Sequence, residues 1–221
     1  TAGFSIVSYT GNGTAGATVG HGLGSAPTWV LIKNRTGSSK SWQIGHQGIG
    51  FQNGVYLNLQ DASSSDNGAF NSTAPSSSVF TLGTSSFTNT SSDNYISYCF
   101  AEKKGYSKFF SYEGNSNSDG TFVYLGFRPA WLMVKPVDAS DNYVMFDNKR
   151  HNAKNSTTAP YFLYANKNFA ETTDTKLIDL LSNGFKIRSS GNTVNRSSTF
   201  IGMAFSESPF VNSSGVANNG R

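Results

Sequence analysis

The chain has 221 residues, a length that fits one large β domain or two of about 100 residues each. Ser, Thr, Asn and Gly make up 97 of them, while charged residues and aromatics contribute 14% each; this is too aromatic for a disordered chain and too poor in strong helix formers for a helical bundle. The formal charge of +4 comes from scattered basic residues. Their densest group, Lys149-Arg150-His151 with Lys154, is too small for a nucleic-acid footprint, and no stretch approaches the roughly 18 apolar residues of a membrane span.

In chain order, short runs rich in aromatic and β-branched residues predict strands at 4–9, 29–33, 42–46, 55–59, 78–82 and 95–101. A second series follows at 106–112, 121–125, 131–135, 143–147, 161–164, 184–188 and 199–205, with clusters of Gly, Ser, Asn and Pro between. One window, 174–181, has helical spacing and reads as a single turn. Alternation in 95–101 turns Tyr95, Ser97, Cys99 and Ala101 to one side and Ile96, Tyr98 and Phe100 to the other, a pattern that suits a strand central in its sheet.

The two series are copies. Ser8-Tyr9-x-Gly11-Asn12 recurs as Ser111-Tyr112-x-Gly114-Asn115. Leu23-Gly24-x-x-Pro27-x-Trp29-x-x-x-Lys33 recurs as Leu125-Gly126-x-x-Pro129-x-Trp131-x-x-x-Lys135. Trp42-x-Ile44 matches Tyr143-x-Met145, Phe80-x-Leu82 matches Phe185-x-Ile187, Asn89-x-Ser91 matches Asn195-x-Ser197, and Ile96-x-x-x-Phe100-x-Glu102 matches Ile201-x-x-x-Phe205-x-Glu207. Six blocks in one order mark a tandem duplication. The expected fold is therefore all-β, two homologous sandwich repeats of jelly-roll or lectin-like type packed together, over residues 1–104 and 105–221. A single fused double-length sandwich is the alternative.

Enzyme chemistry finds little footing. His21 and His46 are not repeated between copies, no metalloprotease, nucleophile-elbow or Cys-His pattern occurs, and no cofactor is implied. Of the acids only Glu102 and Glu207 repeat, each at the end of a terminal strand, where bonding to a neighbouring loop is the expected role. Asp138, Asp141 and Asp147 are the candidates for a calcium site, although the EF-hand spacing is absent and Asp and Asn are ordinary turn formers. Cys99, the single cysteine, reads as a buried core thiol. Gly11-Asn12-Gly13 reads as a tight hairpin turn, since no helix follows to make a phosphate site. The Asn-x-Ser/Thr triplets at Asn12, Asn34, Asn71, Asn89, Asn155, Asn195 and Asn212 follow from composition and establish no glycosylation.

Binding or assembly is the positive expectation. Polar loops bearing aromatics recognise neutral polar ligands, glycans above all, because aromatic faces cover sugar faces while amides and hydroxyls satisfy sugar hydroxyls. Trp29 and Trp131 read as core anchors. Trp42, Tyr143 and Tyr124 are the ligand-binding candidates, and Phe127 and Arg128 lie near a turn.

Phe4-Ser-Ile-Val-Ser-Tyr-Thr-Gly-Asn-Gly13, His21-Gly-Leu-Gly24, Tyr98-Cys-Phe-Ala-Glu102, Gly105-Tyr-Ser-Lys108, Phe127-Arg-Pro-Ala-Trp131, Leu181-Ser-Asn-Gly-Phe185 and Met203-Ala-Phe205 together resemble a domain of unassigned function found in tail-fibre and other virion proteins of tailed, especially marine, bacteriophages. The resemblance runs from about residue 4 to 210. It implies a component of the virion surface, most often tail fibre, with other virion proteins and a host cell-surface glycan as partners and homo-oligomers as the usual state. It carries no catalytic or ligand residues, and neither nucleic acid nor membrane is an expected partner. Phe110 departs from the pattern, which has Gly there, and a changed local bend is the expected consequence.

Overall fold

Four- to eight-residue runs of apolar and β-branched side chains, punctuated by turn formers, can satisfy their backbone groups only by lateral pairing. The computed structural model describes residues 3–37, 39–65, 67–150, 161–173 and 177–207. The chain divides into two compact units, Thr1–Glu102 and Lys103–Arg221.

The first unit contains β1 (Phe4–Thr10), β2 (Ala17–Gly20), β3 (Trp29–Asn34), β4 (Gln43–His46), β5 (Asn53–Tyr56), β6 (Ser64–Ser65), β7 (Val79–Leu82) and β8 (Asn94–Phe100). An antiparallel six-stranded sheet runs β1-β8-β3-β4-β5-β6, and a second sheet pairs β2 with β7. Val30, Ile32, Tyr95 and Cys99 of the large sheet cluster with Phe80 and Leu82 of the small one, together with Phe51 and Phe70 from the connections.

The second unit contains β9 (Ser107–Glu113), β10 (Phe122–Tyr124), β11 (Pro129–Pro136), β12 (Val144–Asp147), β13 (Tyr161–Tyr164), β14 (Thr172–Thr173), β15 (Ile178–Leu181), β16 (Gly184–Ile187) and β17 (Thr199–Ser206). Its large sheet runs β9-β17-β11-β12-β13-β14, the order of the first unit strand for strand, and its small sheet is β10-β16-β15. Leu132, Val134, Phe146 and Phe200 of the large sheet cluster with Val123, Phe185 and Ile187 of the small one. The fold is thus all-β and of sandwich type, with antiparallel sheets in each unit.

β8 and β17 are central strands, lying between β1 and β3 and between β9 and β11. The window at 174–181 is corrected: residues 178–181 form β15, registered against β16 with Leu180 opposite Phe185, because pairing and burial of Ile178 outweigh a local helical spacing. Residues 174–176, His151, Lys154, Asn155, Asn212 and the end of the family resemblance at Phe210 lie outside the described residues. β2, four residues containing Thr and Gly, was not expected from the sequence, nor were the two-residue strands β6 and β14.

The repeated Tyr-x-Gly-Asn block has one geometry in both units. Tyr9 donates its hydroxyl to the Thr88 carbonyl at 2.7 Å, and Tyr112 to that of Val194 at 2.8 Å. Burial pushes both phenols well above their ordinary pKa, so they stay neutral donors. The next residue in each case is a fully buried asparagine. Asn89 donates to the carbonyls of Thr14 and Gly83 and accepts from the amides of Asn12 and Gly13. Asn195 donates to the carbonyls of Asn117 and Ser189 and to Asn115 Oδ1, and accepts from the Asn115 amide. Gly11 and Gly114 are required by close approach, since a Cβ would stand 2.2 Å from the Thr90 carbonyl oxygen or 2.0 Å from that of Arg196.

Phe110 introduces no register shift. β9 pairs with β17 in unbroken register from Ser107 to Glu113, and the Phe110 ring lies in the core against Phe185, facing Gly202 on the neighbouring strand. The residue that accommodates it is therefore a glycine across the ladder.

Candidate functional site

Strand β10 alternates Phe122, Val123, Tyr124. Val123 is buried against the core, which forces its two neighbours to the opposite face. Phe122 is 41% and Tyr124 60% exposed, among the most exposed large apolar side chains of the chain. Across the ladder Phe122 faces Lys186 and Tyr124 faces Gly184; beyond these, on β15, stand Asp179 and Leu181. Phe185 and Ile187 point inward and are buried, so Gly184 and Lys186 share the outer face with the two rings. Gly184 must be glycine, because a Cβ would stand 2.1 Å from the Val123 carbonyl oxygen.

The charges on this face are paired locally. Lys186 meets Asp119 at 2.8 Å, and Arg188 meets Asp179 at 2.6 Å. The hydrogen bond from Lys186 holds the exposed Asp119 carboxyl below its usual pKa. Lys108 donates to the Tyr124 carbonyl at 3.0 Å, and its ammonium lies 5.3 Å from the centre of the Tyr124 ring. A groove of about 500 Å³ opens beside them, lined by Lys108, Ser111, Glu113, Thr121, Phe122 and Tyr124. The surface therefore offers two aromatic faces, spaced about 7 Å apart along one strand, next to hydroxyl, carboxylate and ammonium groups. That is the chemistry for holding a polyhydroxylated ring: apolar faces against the rings and a polar border for hydroxyls.

The first unit shows that the scaffold does not need these aromatics. Thr18 and Gly20 of β2 occupy the corresponding positions, flanking an inward Val19 that pairs with Phe80 as Val123 pairs with Phe185. A β2-like strand with Thr and Gly outward completes the same small sheet.

The other sequence candidates are dispersed. Tyr143 is buried, its ring beneath the ammonium of Lys135 at 5.3 Å, and so presents no face to a ligand. Trp42, half-buried, stacks on Tyr98 with ring centres 6.3 Å apart. The amides of these two equivalent residues are held alike, by Asn58 Oδ1 and Asn166 Oδ1. Trp29 is buried, as a core anchor should be, whereas Trp131 is only half-buried, beside Phe205. Phe127 is buried and Arg128 half-buried.

The three calcium candidates are engaged by protein donors instead of being gathered around one point. Asp138 accepts from the Thr199 amide, Asp141 pairs with Arg196, and Asp147 accepts from the amides of Lys149 and Arg150 and from the Arg150 guanidinium. Partial burial raises the Asp147 carboxyl, but the Arg150 and Lys149 bonds more than offset it and hold the pKa below its ordinary value. Among the described residues no group of three or more His, Cys, Asp and Glu is placed to hold a metal ion. Glu207 bonds Asn148 and Lys149 in the adjacent loop. His21 and His46 pin loops by accepting from the Leu23 and Gly48 amides. Of the glycosylation triplets, Asn34, Asn89 and Asn195 are buried and bonded inside the fold.

Sequence reasoning named Tyr124 and missed Phe122. The available signal was the comparison of the copies, which puts aromatics in the second unit where the first has Thr18 and Gly20.

The geometry defines a two-unit, all-β chain with an exposed aromatic strand on one small sheet. The chain belongs to the family described as Domain of unknown function (DUF7483), whose model matches residues 1–209. No curated protein and no solved structure matches it.

Proposed function

We propose that this chain is a non-enzymatic module of a tailed-phage virion surface, a tail-fibre component that recognises a host cell-surface glycan through the Phe122–Tyr124 face. The observation that carries the reading is the pair of exposed rings on one strand whose counterpart in the first unit does without them. The resemblance to virion proteins supports the setting, and the engagement of Asp138, Asp141, Asp147 and Glu207 with protein donors favours binding over acid-base chemistry. The test is binding of the labelled chain to candidate host cells, with and without enzymatic removal of their surface polysaccharide. Saturable binding that is lost on stripping, and weakened about tenfold or more by Phe122→Ala with Tyr124→Ala, is the expected result. Binding unchanged by the double substitution overturns the site.

A second reading is a structural virion module, such as a capsid-decoration or fibre-shaft piece, with no host ligand. One observation favours it: among the described residues, the long outer strand of the first unit has no strand paired along its outer edge.

A further inference from the structure

Among the described residues strand β1 pairs only with β8, in a register where Phe4 faces Phe100 and Thr10 faces Asn94. The Ala101 amide bonds the Gly3 carbonyl, and the Gly11 amide bonds that of Asp93. These two bonds fix the phase of the ladder. Ser5, Val7 and Tyr9 exchange bonds with β8, while the N–H and C=O groups of Phe4, Ile6, Ser8 and Thr10 point to the open edge. All four of these residues are exposed, Phe4 at 42% and Ile6 at 56%. The strand has none of the features that usually protect such an edge: its seven residues include no charge, no proline and no bulge.

The equivalent edge in the second unit is engaged at both of its ends. β9 has the same length and place, but Ser107 exchanges backbone bonds with Lys103, and the Glu113 carbonyl accepts from the Thr121 hydroxyl at 2.6 Å. β9 also carries Lys108 and Glu113. One scaffold thus occurs twice: the edge strand is held at both ends and carries charges in one copy, and among the described residues it has neither in the other.

We propose that β1 is a self-association strand, joining two copies of this chain edge to edge in antiparallel pairing. The choice of occupant follows from phase and charge. Antiparallel pairing joins outward-bonding residues to outward-bonding residues. A two-fold axis at Val7 satisfies this over the full strand: Phe4 meets Thr10, Ser5 meets Tyr9, Ile6 meets Ser8, and Val7 meets Val7. The pairing forms about eight backbone hydrogen bonds. It places Phe4 and Ile6 against the partner copy's Thr10 and Ser8, and it sets no charge against its own copy, the usual cost of a self-complementary edge. The proposal is independent of the glycan reading, because neither β1 nor any of the variants below lies on that face.

The test is sedimentation of the whole chain over a range of concentrations. The native chain is expected to dimerise reversibly. Ser8→Pro removes only an outward donor and leaves the bonds to β8 intact; Ile6→Lys puts a charge on an exposed position and guards against misfolding of the first variant. Each is expected to keep the native circular dichroism and melting temperature while weakening dimerisation about tenfold or more. Under mild oxidation Val7→Cys is expected to cross-link two copies, and Ser5→Cys, which faces Tyr9, is not. A folded native chain that stays monomeric at high micromolar concentration overturns the proposal. So does an oligomer, dimeric or larger, that both edge variants leave unchanged, or a partner strand from a different protein that occupies β1 while the purified chain alone remains monomeric.

Discussion

Tyr112 lies almost parallel to Phe200, with 6° between ring planes and 4.9 Å between centres, while its hydroxyl reaches past the strand to the Val194 carbonyl. Tyr9 does the same with Tyr95, at 11° and 5.1 Å, and bonds Thr88. Each tyrosine also meets a phenylalanine edge-on, Phe185 or Phe80. The arrangement ties the outer strand of the large sheet to the segment before its central strand, in both units. Tyr112→Phe keeps the ring stack and removes only the bond, leaving a carbonyl in a buried place. The expected cost is about 1–2 kcal/mol in denaturant unfolding, with a similar value for Tyr9→Phe. A loss well below this in both would mean that water replaces the hydroxyl without penalty.

The neighbouring asparagines are the stronger dependence. Asn195 makes three donor contacts, two of them to backbone carbonyls, and accepts from one backbone amide, with no exposure to solvent. Asn195→Ala is expected to destabilise by about 3 kcal/mol, since several buried groups lose their partner together. Asn195→Asp is expected to be worse at neutral pH, because it sets a carboxylate against the oxygens of Asn117, Ser189 and Asn115. Its deficit should shrink on acidification as the carboxyl takes up a proton and can donate again. Melting curves of the two variants across pH separate these effects.

Gly202 lies on the inner face of β17, where a Cβ would stand 2.5 Å from the Met133 carbonyl oxygen and 2.6 Å from the Phe110 ring. Gly202→Ala is therefore expected to cost about 1–3 kcal/mol through overpacking. Shortening Phe110 relieves only the ring contact and leaves the backbone clash. Gly202→Ala combined with Phe110→Leu is thus expected to be less damaging than the sum of the two changes, without returning to native stability. Equilibrium unfolding of the two single variants and the double variant reads this directly.

The strands that were legible in the sequence are those whose apolar pattern spans several residues, such as β1, β3, β8, β11 and β17. Duplication reinforced them, because each block was seen twice. β2 was missed because Ala17, Thr18, Val19 and Gly20 give only two inward residues, too few to show a period. β15 was misread because Leu177, Ile178, Leu180 and Leu181 fall at helical spacing, and only the partner strand β16 decides their state. The same brevity hid Phe122, since a three-residue strand shows its alternation only once Val123 is known to be inward. The repeated Tyr-x-Gly-Asn block was visible as a pattern but not as a mechanism: its acceptors, Thr88 and Val194, lie 79 and 82 residues away. Tyr143 and Trp42 were proposed together because they align. Burial then separated them, and burial is a property of packing that alignment between copies does not carry.

Cys99 provides a prediction whose sign is set by burial. Its thiol is enclosed in the first unit's core, 3.2 Å from the Ser97 hydroxyl, and burial pushes its pKa up to about 11. In the unfolded chain a thiol titrates near about 8.5. A raised folded pKa means that the folded state holds its proton more tightly, so the contribution to stability is complete below the unfolded value and is lost as pH rises toward the folded one. Stability of the native chain is therefore expected to decline between about pH 8.5 and 11, and Cys99→Ser or Cys99→Ala to flatten part of that decline at some cost from altered packing. The same enclosure predicts that a thiol-specific reagent at pH 8 labels the folded chain only at the rate at which the first unit opens, and labels it at once in denaturant. Rapid labelling without denaturant would place Cys99 at an accessible surface and remove the burial on which the pH prediction depends.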